Sequence, residues 1–581
     1  MKLNNNTLSS ALPDIQVAIS YDVLYGDYDK VNPFTFIKGI PTIAILNFVV
    51  ELQNKVLYAL SDTPTQKQMI KEMCPWLNDK VRYKAWQFQK KHKMPLLMFS
   101  ETSFLMFRLT LSNYVPFESD DEELDLCQDE MEGVYKAILY CNQIWTDHQS
   151  HINNIHRIAR DSMSLAKFSV SLDLPIVEFK FYKDFRTQLY KAVQFFKFCE
   201  NDPTFSTYLP YFYKDCKVLN WKEYLLQLFN FFYASLKNKY ISLDDHRNPL
   251  PTSLHDFFGQ FTIDTNDKYL KNLWDDNQGM KYIRDHFLLR VSDKIYLLLN
   301  ANLLVDKIYQ GMMFDFWKCV KNNQLLTNGK QYTDYKHFSS IVGENFSEPK
   351  MLYPLLHKCF DNKVDVMHEG NFFRAKGMKG EPDFYMREGN SLFLFEHKDS
   401  TLGDPIKLSK DVEYIKQQVL ERICYDGIDS SGKYKRKGGG QLLFTINELL
   451  NNHIFDQYDH NITNIQYIFP IIVTTDSAFS SLGISALVIE AFNNIIKERD
   501  YKFGAVSVYD PVVVDIDTLI KLCYLLSVKK INLKEVMLNY LSTNTTKICP
   551  FSTFVRDNIL KNHIISEEEN KFLFDELFEN S

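Results

Sequence analysis

Residues 381–399 read EPDFYMREGNSLFLFEHKD. A Pro-Asp pair stands ahead of an oily run, Leu392 to Phe395, that ends in Glu396, His397 and Lys398. The spacing suits two neighbouring strands. Side chains alternate along a strand, so Glu396 and Lys398 share one face and His397 takes the other. The run is apolar on both faces, as expected of a buried central strand. Asp383 opens the preceding strand. With the two strands adjacent, Asp383 and Glu396 approach to metal-sharing distance. Charges near a core cost free energy unless something pairs with them. A divalent cation and a phosphate would do so. Hard oxygen ligands suit Mg²⁺, with Mn²⁺ as a substitute. The metal would polarise a phosphodiester and acidify a water. Lys398 would position that water and offset charge in the transition state. The plainer alternative is a hairpin with solvated charged ends.

The flanking sequence supplies the rest of a domain. SEPKMLYPLLHKCF predicts a helix with Ser347 as N-cap and Pro349 in its first turn. Its apolar face is Leu352, Leu355, Leu356 and Cys359. Short strands are expected over NFFRAK, from Asn371, over DFYMRE, from Asp383, and over SLFLFEHK, from Ser391. A helix follows with Val412, Ile415, Val419 and Ile423 on one face. KYKRKGGG then forms a basic glycine loop leading into another helix, with apolar strands after Ile465 and Gly504. This order predicts an α/β unit around a mixed central sheet flanked by helices, over 335–545, with a helical tail at 546–581.

Pro382-Asp383 with Glu396-His397-Lys398 resembles the signature of the PD-(D/E)XK nuclease superfamily. The resemblance covers under half the chain. It implies a restriction-endonuclease-like domain and a metal-dependent phosphodiesterase, with Asp383 and Glu396 as metal ligands and Lys398 as the activating lysine. It further implies Glu348, on the leading helix, as an auxiliary ligand; Glu344 lies before that helix. Gln441, in GGGQLLFTI, takes the place of the glutamine that follows the motif. DNA is the substrate implied, and the residues leave RNA open. Glu178-Phe179-Lys180, in LPIVEFKF, repeats the Glu-x-Lys spacing without a Pro-Asp pair.

Residues 1–330 read as an α-helix-rich region of sensing, DNA-guiding or partner-binding type. Helical periodicity runs from Pro41, Tyr224 and Met280, and a strand pair is expected over MPLLMFS, from Met94, and SFLMFRLTLSN, from Ser103. An acidic run from Phe117 suits a solvated loop and a first helical turn. KEMCPWLNDKVRYKAWQFQKKHK, from Lys71, interleaves Lys and Arg with Trp86 and Phe88. Such a pattern binds nucleic acid or forms the basic outer face of an amphipathic helix. Lys433, Lys435, Arg436 and Lys437 are candidate phosphate contacts beside the expected metal site. His148 and His151 stand one helical turn apart without a third metal ligand nearby.

Across 581 residues the formal charge is -7, which argues against a protein that coats nucleic acid through overall basicity. The ten cysteines are scattered and form no CxxC pair, so zinc ribbons and disulfide frameworks are not indicated. The N-terminal residues lack an apolar signal core, and no apolar run is long enough to span a membrane. These features fit a cytoplasmic protein with a homodimer or partner-protein contact through residues 1–330. A nuclease joined to a large helical region fits bacterial restriction or anti-phage defence. The competing readings are a catalytically silent nuclease-like scaffold serving a binding module, and a recombination factor acting on defined DNA ends.

Overall fold

The computed structural model describes residues 16–58, 63–117, 125–156, 161–180, 183–244, 250–276, 279–327, 329–378, 380–428, 432–544 and 547–578. The acidic run through residue 124, the first fifteen residues and the side chains of His151 and His156 lie outside them. The chain is α-rich with several small sheets. It divides into two compact units that interleave along the sequence. Residues 152–178, 186–206 and everything from Leu326 onward form the second unit, and the rest forms the first. The expected division at 330 and the separate tail at 546–581 therefore do not describe these units.

The first unit is mainly helical. Helices Thr42–Tyr58 and Trp221–Ser235 follow the predicted periodicity. Helix α1, Asp79–Lys91, buries Val81, Ala85 and Phe88 at i, i+4 and i+7. Two expectations fail here. The Ser103 run is not a strand but part of helix Ser100–Ser112. That helix buries Phe104, Met106, Phe107, Leu109 and Leu111 around much of its circumference, so no polar stripe marks its period. The stretch from Met280 is not one helix. It breaks into helix Gly279–Asp285, a hairpin of Leu288–Arg290 and Ile295–Leu298, and helices Ala301–Asp306 and Gln310–Asn322. Ser292-Asp293-Lys294 supplies the polar break.

The second unit is built on a mixed six-stranded sheet. Its strands are β1 (Val366–Glu369), β2 (Phe384–Glu388), β3 (Ser391–Lys398), β6 (Tyr467–Thr474), β7 (Ser507–Val508) and β8 (Val512–Asp515). A separate hairpin, β4 (Tyr425–Ile428) with β5 (Tyr434–Arg436), covers the basic segment. The sheet order is β1-β2-β3-β6, with β7 and β8 in turn along the far edge of β6. Pairing is antiparallel through β3 and parallel beyond it. One face carries Leu392, Leu394, Tyr385, Ile468 and Ile472. It packs on α2 (Ser162–Asp173), α6 (Val412–Ile423), α7 (Gly439–Asn452) and α8 (Ile484–Arg499). The predicted Ile415, Val419 and Ile423 are buried there. The other face carries Phe384, Phe393, Phe395 and Phe469, with Phe393 and Phe469 stacked at 5.0 Å.

Three local expectations need correction. Ser347 is not an N-cap: helix α3, Tyr335–Val342, starts at Asp334 and runs through a π-helical stretch, Gly343–Leu352, into α4, Tyr353–Phe360. Ser347 lies inside that stretch, where its hydroxyl donates to Asp399 at 2.6 Å. NFFRAK is not a strand; the strand is β1, and α5, Gly370–Ala375, follows it. Two adjacent Phe residues between polar ones fit either period over so short a run. The basic segment is not wholly a loop, since β5 takes Tyr434 to Arg436.

Candidate functional site

The site forms at the C-terminal end of β3. The β2–β3 register pairs Phe395 with Phe384. One step onward sets Glu396 opposite Asp383, and opposed residues share a sheet face. Asp383 Oδ2 accepts the His397 backbone N–H at 2.7 Å, which fixes the aspartate against β3. Lys398 folds back along its own strand. Its ammonium donates to Glu396 Oε1 at 2.7 Å and to the His397 carbonyl at 2.9 Å. Glu396 is 5% exposed, and its second oxygen, Oε2, is buried without a hydrogen-bond partner.

Two glycines deliver Asp383 to this place. Gly370 N–H donates to the Asp383 carbonyl at 2.7 Å. A Cβ on Gly370 would stand 2.9 Å from the Pro382 carbonyl oxygen and 3.1 Å from Asp383 Cα. Gly380 has φ +82°, and a Cβ there would meet the Phe444 ring at 2.4 Å and Gln441 Nε2 at 3.3 Å. Its carbonyl accepts the Thr445 hydroxyl at 2.7 Å. Helix α7 thus anchors the loop that carries Asp383, and Gln441 stands beside that loop.

Glu348 occupies a different setting. Its Oε1 accepts from Arg374 at 2.6 Å and from the Tyr353 hydroxyl. Arg374 also reaches Glu381, at 3.6 Å. The predicted residues therefore fall into a tight core of Asp383, Glu396 and Lys398, and an adjoining, separately satisfied Glu348. Sequence reasoning missed Arg374 and Tyr353. Arg374 was hidden by reading α5 as a strand. Tyr353 is five residues from Glu348, a spacing that becomes neighbouring only in a π-helix.

Electrostatics mark the core as short of positive charge. Burial raises the Asp383 pKa well above the usual carboxylate range, and the charges of Glu396 and Glu348 raise it further. Burial also raises Glu396, against the opposing pull of Lys398. Burial alone would lower the Lys398 pKa, but Glu396 and Asp383 outweigh it and hold the ammonium charged. Among the described residues no three carboxylate, histidine or cysteine side chains gather into a ready-made metal cage. Mg²⁺ does not need one, because it binds through one or two carboxylates and completes its shell with water and phosphate oxygens. The unpartnered Glu396 oxygen, opposite Asp383, fits that demand.

The basic residues lie on the neighbouring hairpin and its exit. Lys433 and Lys435 are exposed. The Arg436 guanidinium lies 3.4 Å from the Phe444 ring centroid, the ring that packs on Gly380. Lys437 donates to the Glu421 carbonyl at 2.9 Å. Burial lowers its pKa; Asp426 opposes this, and the positive charges of Lys398, Arg422 and Lys336 add to it. Those four cations are thus electrostatic neighbours.

Glu178, of the second Glu-x-Lys, lies in a turn and pairs with Lys407 inside the core. It serves packing, with Asp476 as the nearby carboxylate and no Pro-Asp pair ahead of it. No helix among the described residues is long and apolar enough to cross a membrane.

Comparison of the chain with protein-family models, curated proteins and solved structures finds no match.

Proposed function

We propose that the second unit is a restriction-endonuclease-like domain of PD-(D/E)XK type, and that the chain is a metal-dependent DNA endonuclease. The observation that carries this reading is the Glu396 carboxylate. One oxygen is held by Lys398, the other is buried and unpartnered, and Asp383 stands opposite in register. Leaving a buried carboxylate oxygen unpaired costs about 1–3 kcal/mol or more for a charged group, a cost that a bound cation would offset. Asp383 and Glu396 would hold Mg²⁺ or Mn²⁺, with Glu348 joining after release from Arg374. When bound, the ion supplies Lewis-acid polarisation of the phosphodiester and an acidified water. Lys398 places a fixed positive charge beside the phosphoryl oxygens and orients the attacking water. Gln441 and Thr445 keep the Asp383 loop in place. Lys437 and its cationic neighbours, with Lys433 and Lys435, bind the DNA backbone through its phosphates. A cytoplasmic role in restriction or anti-phage defence suits such an enzyme.

The test is cleavage of supercoiled and linear DNA by the full chain with Mg²⁺, Mn²⁺ or EDTA, beside Glu396→Gln and Lys398→Ala. Metal-dependent cutting lost in both variants supports the reading. The scaffold reading draws on Glu348 being already satisfied by Arg374 and Tyr353. It predicts no cutting and no metal-induced rise in Tm.

A further inference from the structure

Helix α1 carries a feature that its own packing does not require. Its buried stripe is Val81, Ala85 and Phe88. On the outer side, Tyr83 is 58% exposed and Trp86 is 52% exposed. Their rings stack on each other, with centroids 6.0 Å apart and planes 27° apart. Lys90 stands over the Trp86 ring at 5.2 Å. An exposed Trp-Tyr pair is costly in water, since both rings present large apolar faces. The same surface is strongly basic. The helix has one acid, Asp79, against Lys80, Arg82, Lys84, Lys90 and Lys91. Asp79 pairs with Arg82 at 3.2 Å. Lys84 is drawn inward to the Leu24 carbonyl at 2.8 Å. Lys80, Lys90 and Lys91 remain on the exposed side with the two rings.

We infer that this face of α1 is a binding site for single-stranded nucleic acid. The stacked rings offer a flat π surface on which unpaired bases stack, whatever their identity. The lysines on either side meet the phosphates that flank those bases. Charge and aromatic exposure together select this ligand. An apolar partner would not call for the lysines, and a duplex hides the base faces that the rings would contact. The site lies in the first unit and goes beyond the proposed metal centre, so it stands or falls independently of catalysis.

The test uses the full chain in EDTA, where cleavage cannot interfere, with fluorescein-labelled dT20 and rU20 oligonucleotides, a 20-bp duplex and vesicles of phosphatidylcholine with phosphatidylserine. The expected result is binding of the single strands with quenching of Trp86 fluorescence. Trp86→Ala and Tyr83→Ala should each weaken it by about tenfold, as befits loss of one stacked base. Trp86→Phe should recover much of the loss. Lys80→Gln with Lys90→Gln should flatten the salt dependence by about two phosphate contacts. The dT20 and rU20 arms tell DNA from RNA. Glu396→Gln should bind dT20 like the parent protein, which separates this site from the metal centre. Single-strand binding unchanged in Trp86→Ala overturns the inference, even if the enzyme cuts DNA. Preference for the vesicles, or a loss of duplex binding in Trp86→Ala as large as its loss of single-strand binding, overturns it as well. Because both rings are exposed, the variants should keep the parent Tm, and a matching melting curve confirms that a loss of binding is local.

Discussion

Asp383 faces Glu396 across the β2–β3 pair and reaches past it to accept the His397 N–H. β3 thus gives Glu396 to the site and, through the His397 N–H next to it, holds the opposing Asp383. Burial raises the proton affinity of Asp383 most, and the Glu396 charge adds to it.

A carboxyl whose folded pKa lies above its unfolded value binds more protons in the native state. Stability then falls as pH rises from the unfolded value near 4 through the raised folded value. Asp383→Asn keeps an acceptor for His397 and removes the charge. In EDTA at neutral pH it should raise Tm by a few degrees, since each tenfold change in proton affinity corresponds to about 1.4 kcal/mol. On the proposed metal site, Mn²⁺ should raise the Tm of the parent, and the same variant should lose that gain. Thermal melts from pH 4 to 8, with and without Mn²⁺, check both. A lower Tm in EDTA would contradict the charge crowding.

Gly370→Ala should cost about 1–3 kcal/mol through overpacking against the Pro382 carbonyl and Asp383 Cα. Because the shift falls on the Asp383 backbone, cleavage should fall more than stability does. Urea melts and initial rates on the same preparation separate the two effects.

Arg374 holds Glu348 away from other duties. Arg374→Met should tighten Mn²⁺ binding by about two- to fivefold, on the scale of a partly exposed ion pair. Adding Glu348→Gln should cancel the gain. Titration calorimetry reads both. A gain that survives the second substitution would trace it to lost positive charge alone.

Lys407 and Glu178 form an ion pair buried on both sides, 8% and 7% exposed. Asp476 lies close enough to feel both charges. Lys407→Met alone should cost about 3–5 kcal/mol, because it strands a buried carboxylate. Lys407→Met with Glu178→Leu should recover most of that loss in denaturant melts.

The strand pair around Gly389 and the α6 face were legible because their periods run long enough to exclude alternatives. Leu392 to Lys398 cannot be amphipathic in a helix and stay apolar on both sides as a strand core does. The Phe372–Arg374 region was misread because six residues satisfy either period, and its helix is set by where Gly370 must meet Asp383. The Ser100–Ser112 helix was misread for a related reason: its nearly complete burial leaves no hydrophilic side to count from. The facing carboxylates Asp383 and Glu396 could be found from spacing. The Arg374–Glu348–Tyr353 contact could not, since it depends on a wide helical turn that no local propensity announces.

That wide turn has a consequence for the history of the chain. Gly343–Leu352 sends Ser347 to Asp399 and the very next residue, Glu348, to Arg374. A π-turn amounts to one residue more than an α-turn can hold. Deleting a single residue there would let the turn close to an ordinary α-turn and move the residues inside it, Ser347 and Glu348 among them, around the helix axis by up to about 100°. Both attachments would then be out of reach together. This segment should accept changes of residue far more readily than changes of length.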